Sequence, residues 1–135
     1  MQAVATAEAA IRGILTANLI TSNFRPRPAS MLGNAKSAVV YRLLTSLGDV
    51  ASPDGKTLYS TFLFQVVATT VAETVSDIVD LGDAIRTALH FDADRRAQLP
   101  AGIRSMQVER DVNFPEPSTA GGIRQNLGVI VRVIV

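Results

Sequence analysis

Few residues in this sequence have side chains that commonly take part in catalysis or metal binding. There is one histidine, His90, and there is no cysteine, which excludes a thiolate nucleophile, a thiolate metal site and any disulfide. His90 falls at the predicted end of a helix, where the helix dipole favours it without any catalytic role. Asp77, Asp80 and Asp83 repeat at three-residue spacing, but this spacing predicts the water-facing side of that helix rather than a metal site.

Glu109 and Asp111 are two residues apart on a predicted strand, so they are expected to point the same way, as a carboxylate pair in a hydrolase would. Nothing else in the sequence supplies a proton shuttle or positions a substrate, so a polar sheet face or a salt-bridged subunit contact is the favoured interpretation. Gly121-Gly122 lacks the Lys-Ser/Thr of a phosphate-binding loop, and no serine stands in a nucleophile elbow. We therefore expect no catalytic, cofactor-binding or metal-binding residues and no enzyme activity.

The composition predicts a single domain over residues 1–135. Its 13 basic and 12 acidic residues give a net charge of +1, whereas a protein that binds nucleic acid through its phosphates usually has a clear basic excess. No apolar run approaches the roughly 20 residues that span a bilayer. The N-terminus lacks the basic start and long apolar core of a signal peptide, so we expect synthesis in the cytoplasm.

One strand followed by one amphipathic helix is the segment around which the rest is organised. Residues 58–70 are rich in β-branched and aromatic side chains and contain no Gly or Pro, which predicts a strand. A helix is predicted from about Thr70–Thr74 to His90, because apolar residues recur there at three- and four-residue spacing: Val75, Ile78, Gly82, Ile85 and Leu89. Such a helix must lie on a sheet to bury its apolar stripe.

The remaining segments predict the other elements of that sheet. An alanine-rich stretch at 3–22 predicts a helix, which either is covered by its own domain or also packs against a neighbouring subunit. Residues 23–36, with Arg25-Pro26-Arg27-Pro28, are predicted to be irregular. Strands are predicted at 37–46, 103–114 and 123–135. The predicted fold is therefore α+β, a four-stranded, mainly antiparallel sheet with two helices in the order α-β-β-α-β-β.

The last strand is nearly apolar on both faces, with Arg132 as the main exception. Strands of this kind are normally covered on both faces. We expect one helix layer to be insufficient for this in so small a chain. The sequence therefore predicts that another copy of the protein buries part of the strand.

Several motifs in this order resemble a known family. A Val39-Val40-Tyr41-Arg42 strand precedes a Pro53-Asp54-Gly55 hairpin, and residues 80–89 read Asp-Leu-Gly-Asp-Ala-Ile-Arg-Thr-Ala-Leu. From about residue 8 to the end, the chain resembles the tail-completion or tail-terminator proteins of tailed bacteriophages, the family of the lambda tail terminator. The most specific part is the acidic residue followed by Ala-Ile-Arg-x-Ala-Leu. The segment from Arg25 to Asn34 does not match.

The resemblance implies a structural virion protein, assembled in the host cytoplasm, that forms a homo-oligomeric ring, commonly a hexamer. Such a ring ends the tail tube and joins it to the head, so its partners are the tail tube protein and the head-completion or neck protein, with DNA passing through the lumen without specific binding. A closed ring needs two different complementary patches. We expect one on the sheet, with Glu109, Asp111 or Arg132, and the other at the N-terminal helix or at Arg25 and Arg27.

Three alternatives stay open at this stage. The protein is a head-completion adaptor at the neck, a small enzyme that uses acidic residues or His90, or a small binding or regulatory subunit of a bacterial complex. Rings in electron micrographs would favour a virion protein of the tail or neck. Loss of an activity in His90→Ala or Asp111→Asn would favour the enzyme, and a monomer that binds one small ligand would favour the binding subunit.

Overall fold

The computed structural model describes residues 2–18, 25–33, 35–71, 76–117 and 122–135. Within these ranges the chain forms two helices and five strands, in the order α1 Gln2–Asn18, β1 Pro26–Pro28, β2 Ser37–Ala51, β3 Thr57–Thr70, α2 Ser76–Leu89, β4 Ser105–Pro117 and β5 Ile123–Ile134. Short 3-10 turns follow β1 and precede β4, at Ala29–Met31 and Arg96–Gln98.

The strands form one mixed sheet with the spatial order β1-β2-β3-β5-β4. Strand β1 is parallel to β2, and all other neighbours are antiparallel. Helix α2 carries the chain from β3 to the far edge, where β4 begins, and β5 returns to fill the space between them. Both helices pack on the same face of the sheet, in a core that includes Ile11, Leu15, Phe64, Ile85 and Val131.

The prediction of four strands in the order α-β-β-α-β-β is wrong, because a fifth strand lies in the segment that was expected to be irregular. Pro26, Arg27 and Pro28 pair in parallel with Val39, Val40 and Tyr41. Proline has no N–H for a ladder and is therefore confined to sheet edges, and this strand occupies one edge of the sheet. The two prolines do prevent a helix, as expected, but they do not prevent an edge strand.

The last strand is buried within a single copy, so the expectation that its apolar surface needs a second copy is wrong for most of it. Val129, Val131 and Val133 contribute to the core under the helices, and Ile130 on the opposite face is 4% exposed. The order of strands explains this, since β5 is an interior strand with β3 and β4 on its two sides. On the face away from the helices, a second cluster also forms around Ala38, Val40 and Val67, with Leu32, Val112 and Phe114 packed against it.

Candidate interaction surface

Among the described residues, the longest exposed run is the end of the hairpin formed by β2 and β3. Every residue from Arg42 to Tyr59 is exposed except the half-buried Ser52. Strand β1 covers β2 only at Val39–Tyr41. On the other side, the chain end at Val135 is the last residue to bond to β3, through reciprocal backbone hydrogen bonds with Ser60 (2.9 and 3.0 Å). None of the described strands covers the outer edge of β2 from Arg42 onward, and beyond Asp49 and Ser60 both edges of the hairpin are uncovered.

This hairpin end is apolar as well as exposed. Six of the exposed large hydrophobic side chains belong to it: Leu43, Leu44, Leu47, Val50, Leu58 and Tyr59, each between 37% and 50% exposed. Summed over both faces of the hairpin, they leave on the order of 450 Å² of apolar surface in water. Leu43 pairs with Phe64 on the helix side, whereas Val50 and Tyr59 pair on the other face. The charged residues of the hairpin end are Arg42, Asp49, Asp54 and Lys56. The run from Leu43 to Gly55 carries acidic charge only, and the two cations lie at its ends.

Three leucines of this surface sit where the pairing of β2 with β3 is irregular. The register advances by one extra residue at Leu44 and at Leu47 on β2, and at Leu58 on β3. An extra residue of this kind forms a β-bulge, which bends the strand and changes the direction of a side chain relative to the regular alternation. The alternation that buries Val39 and Tyr41 against the helices is thus lost beyond Leu43.

The tip of the hairpin is held by a compact set of hydrogen bonds. The Gly55 N–H donates to the Ser52 carbonyl (2.9 Å), and the Ser52 N–H donates to the Lys56 carbonyl (2.7 Å). The Asp54 carboxylate accepts from the Ser52 hydroxyl and from the Lys56 N–H. These bonds, the Ser52 hydroxyl foremost, hold the pKa of Asp54 below its ordinary value. Gly55 has φ 86°, the left-handed conformation expected at this position of the turn.

At the opposite edge of the sheet, β4 carries the predicted interface residues Glu109 and Asp111. The expectation that they point the same way is wrong, because a bulge between Val108 and Arg110 places an extra residue at Glu109. Glu109 forms an ion pair with Arg132 of β5, whereas Asp111 forms one with Arg86 of α2, on the helix side. The two carboxylates therefore belong to different faces of the sheet and do not form a catalytic pair.

The same bulge changes the environment of the apolar residues that follow it. Met106 and Val108 belong to the core under the helices, whereas Val112 and Phe114 pack against the second cluster on the other face. All four would lie on one side of an uninterrupted strand. The residue inserted at Glu109 reverses the alternation of every later side chain.

The other predicted site residues are placed far apart. Arg25 precedes β1 and Arg27 lies within it, at one edge of the sheet, while Glu109, Asp111 and their partners lie at or near the other. The structure thus brings Arg132 and Glu109 together and separates them from Arg25 and Arg27. The hairpin leucines were not singled out by the sequence reasoning. The signal that was available is Leu43-Leu44, a pair that breaks the period of two within a strand.

The remaining titratable residues have structural partners or face water. His90 is exposed after α2, where its Nδ1 accepts a hydrogen bond from the Val108 N–H (3.1 Å) and so ties the helix end to β4. Asp80 and Asp83 are exposed on α2, as expected, while the side chain of Asp77 lies outside the described residues. No group of three or more potential metal ligands occurs among the residues that the structure describes.

A groove of about 420 Å³ runs along the outer side of α1, lined by Ala9, Ala10, Gly13 and Ala17 and by Phe91 and Arg95 from the connection after α2. The Arg95 guanidinium stacks on the Phe91 ring at 4.3 Å and donates to the carbonyl oxygens of Thr87 (2.5 Å) and His90 (2.8 Å). It therefore satisfies carbonyls at the C-terminal end of α2, where the helix dipole also favours a cation.

Comparison with models of protein families finds no match to this chain, and comparison with curated proteins finds none either. Within the described ranges, neither helix has the length and apolar character needed to cross a bilayer.

Proposed function

We propose that this protein is a structural virion subunit that assembles with copies of itself into a ring, and that this ring terminates the tail tube of a tailed bacteriophage. Two independent lines support the proposal. The first is the resemblance of the sequence to tail-terminator proteins, strongest at residues 80–89. The second, and the observation that carries the self-association, is the exposed apolar hairpin at residues 42–59.

The size of the hairpin surface agrees with a role in assembly. Burying about 450 Å² of apolar surface is worth roughly 11 kcal/mol in gross transfer free energy, while association costs about 4–15 kcal/mol in lost freedom of motion and ordering. The hairpin alone would therefore support only weak pairing of two copies. In a closed ring each copy is held by two interfaces, so closure supplies the additional stability that one contact lacks.

A specific surface buries about 800 Å² on each partner, nearly twice what the apolar residues of the hairpin expose. A ring contact therefore requires polar or backbone surface beside the leucines. The open backbone of β2 and the charged residues of β1 and β4 supply surface of that kind.

The test of self-association is the mass of the purified protein in solution, measured by light scattering, together with negative-stain electron microscopy. We expect rings with a central hole. The variant Leu44→Ser/Leu47→Ser/Leu58→Ser should be a folded monomer, because it removes the apolar bulge residues while leaving the core intact. The matched control is Val79→Ser, an equally exposed apolar residue (43%) on α2, which should leave the rings unchanged.

A wild-type protein that stays monomeric at all concentrations contradicts the proposal. Loss of rings in the control variant as well would contradict the assignment of the contact to the hairpin. The position in the virion is tested separately, by antibody labelling of phage particles that contain the protein. A tail terminator is labelled at the head-facing end of isolated tails, whereas labelling of tailless heads would identify a head-completion adaptor instead.

A further inference from the structure

One outer edge of the sheet is blocked along β1 and open along β2. The Arg25 carbonyl accepts a hydrogen bond from the Val39 N–H (3.2 Å). The backbone N–H and C=O groups of the alternate residues Arg25 and Arg27 therefore face β2. Pro26 and Pro28 then face outward, and neither has an N–H to offer to a further strand. Beyond Pro28 no described strand covers β2, which leaves its backbone open from Arg42 to Ala51.

The other outer edge belongs to β4, which pairs with β5 on its inner side only, within the described part of the chain. Pro115 and Pro117 offer no N–H, so this edge is open from Ser105 to Phe114. Unpaired N–H and C=O groups in a row are a template for another strand. The two open edges are different surfaces at opposite ends of one sheet. This is what a head-to-tail contact requires, and a contact of a patch with itself does not.

We propose that the open edge of β2 in one copy pairs with the outer edge of β4 in the next, so that one sheet continues from copy to copy around the ring. This inference rests on the proposed ring assembly. Three antiparallel steps separate β2 from β4, so the two strands run in opposite directions. With the strands running along the ring axis, rotation about that axis keeps those directions, so the new pairing is antiparallel, the more stable arrangement.

The charges along the two edges are complementary at the end near the hairpin. Asp49 pairs with Ser60, and Ser60 exchanges backbone hydrogen bonds with Val135. Since Arg104 donates its N–H to the Ile134 carbonyl (2.8 Å), Arg104 lies beside Val135. Asp49 and Arg104 are therefore at the same level on opposite edges.

Farther from the tip of the hairpin, the same registers place Arg42 of β2 level with Arg110 of β4. These two cations face each other in the new pairing, so the attraction between Asp49 and Arg104 has to exceed their repulsion.

A charge exchange separates contact between copies from contact within one. Asp49 and Arg104 of the same copy are separated by three strand spacings, about 14 Å, which is too far for an ion pair. We expect Asp49→Arg and Arg104→Asp each to raise the concentration at which half of the protein is assembled by about tenfold. The double variant should restore the wild-type value. Asp83→Arg, on the exposed side of α2, is the control and should have no effect.

Cysteine cross-linking tests the strand pairing directly, because the natural chain has no cysteine. Thr45→Cys lies on the open edge of β2, and Gln107→Cys lies on β4. Mixing the two single variants under oxidising conditions should give covalent dimers, and the double variant should give a ladder of multiples that ends at the size of the ring. The products are read by electrophoresis without reductant.

The outcomes distinguish this inference from the proposed function. Dimers formed by Thr45→Cys alone would show that β2 pairs with itself and would overturn the inference. Rings that form in the microscope without charge rescue and without cross-links would overturn it too, while leaving the ring assembly standing. Absence of any assembly in the wild-type protein would remove both.

Discussion

Strand β5 passes so close to β3 at Gly128 that a single added methyl group would meet the backbone. A Cβ built on Gly128 lies 2.0 Å from the Val66 carbonyl oxygen and 2.6 Å from the Val67 Cα. Backbone atoms in the centre of a sheet cannot move aside as the end of a side chain can. We therefore expect Gly128→Ala to destabilise the protein by about 3 kcal/mol or more, the upper end of the range for overpacking.

The same substitution at Gly13 is the matched control, with an opposite sign. No atom lies within 4 Å of a Cβ built on Gly13, which is exposed within α1. Alanine should stabilise this helix by about 0.5–1 kcal/mol, because glycine loses more backbone freedom on folding. At Gly82 the nearest atom is the Leu127 Cδ2, at 3.2 Å, so a side chain can adjust and the net change should fall between the other two.

The assay is urea unfolding followed by circular dichroism, with the free energy of unfolding extrapolated to zero denaturant. The substitutions are made in the Leu44→Ser/Leu47→Ser/Leu58→Ser variant, which is expected to be monomeric, so that assembly does not contribute to the apparent stability. The reasoning would be refuted if Gly128→Ala were as stable as the parent, since that would mean that β3 and β5 do not approach each other as described. A loss at Gly13 similar to that at Gly128 would indicate a general sensitivity to alanine rather than a close contact.

Three further predictions concern single polar groups. Tyr41→Phe should leave stability unchanged or raise it by up to about 2 kcal/mol, because the buried Tyr41 hydroxyl makes no hydrogen bond of normal geometry among the described residues. Burial raises the Tyr41 pKa against the opposing effect of the nearby Arg12 guanidinium. Wild-type stability should therefore fall as the pH rises above about 10, and this part of the fall should be absent in the variant. Arg124→Lys should lower the free energy of unfolding, measured in urea, by about 1–3 kcal/mol. The buried Arg124 guanidinium donates to the Ala35 carbonyl (2.6 Å) and to the Thr69 hydroxyl (3.1 Å), in a geometry that an ammonium group cannot reproduce. The Lys56 amide donates to the Asp54 carboxylate, so its resonance should titrate with a midpoint below 3.8, because the Asp54 pKa is lowered from that value. The conformation of the hairpin tip is favoured above this midpoint and loosens as the pH falls through it. Asp54→Asn should abolish the titration.

Periodic patterns identified the elements in which the spacing of apolar residues matches the face that is buried. Ile78, Ile85 and Leu89 recur at helical spacing and are buried on α2, and Phe62 and Phe64 alternate with half-buried residues on β3 as a strand with one face in the core does. In these segments the local pattern and the tertiary environment agree, so the sequence was sufficient to predict them.

The segments that were missed or misread depend on what lies beside them. The bulges at Leu44, Leu47 and Glu109 are visible only in the pairing of one strand with another. Each one changes which face of the sheet the following residues occupy. Glu109 and Asp111 were wrongly expected to point the same way because this bulge was not visible in the sequence. The bulges at Leu44 and Leu47 likewise concealed the apolar surface of the hairpin.

Composition and periodicity by themselves determined two helices, the long hairpin, the α+β class and the absence of thiol chemistry, because those properties follow from residue types and local spacing. Only the tertiary structure decided that β5 lies inside the sheet, that the proline segment forms an edge strand and that six large apolar side chains of the hairpin stay exposed. The order of strands in a sheet is set by contacts between distant segments, and burial depends on that order. The valine-rich last strand is therefore largely buried within one copy, while leucines of the β2–β3 hairpin stay exposed.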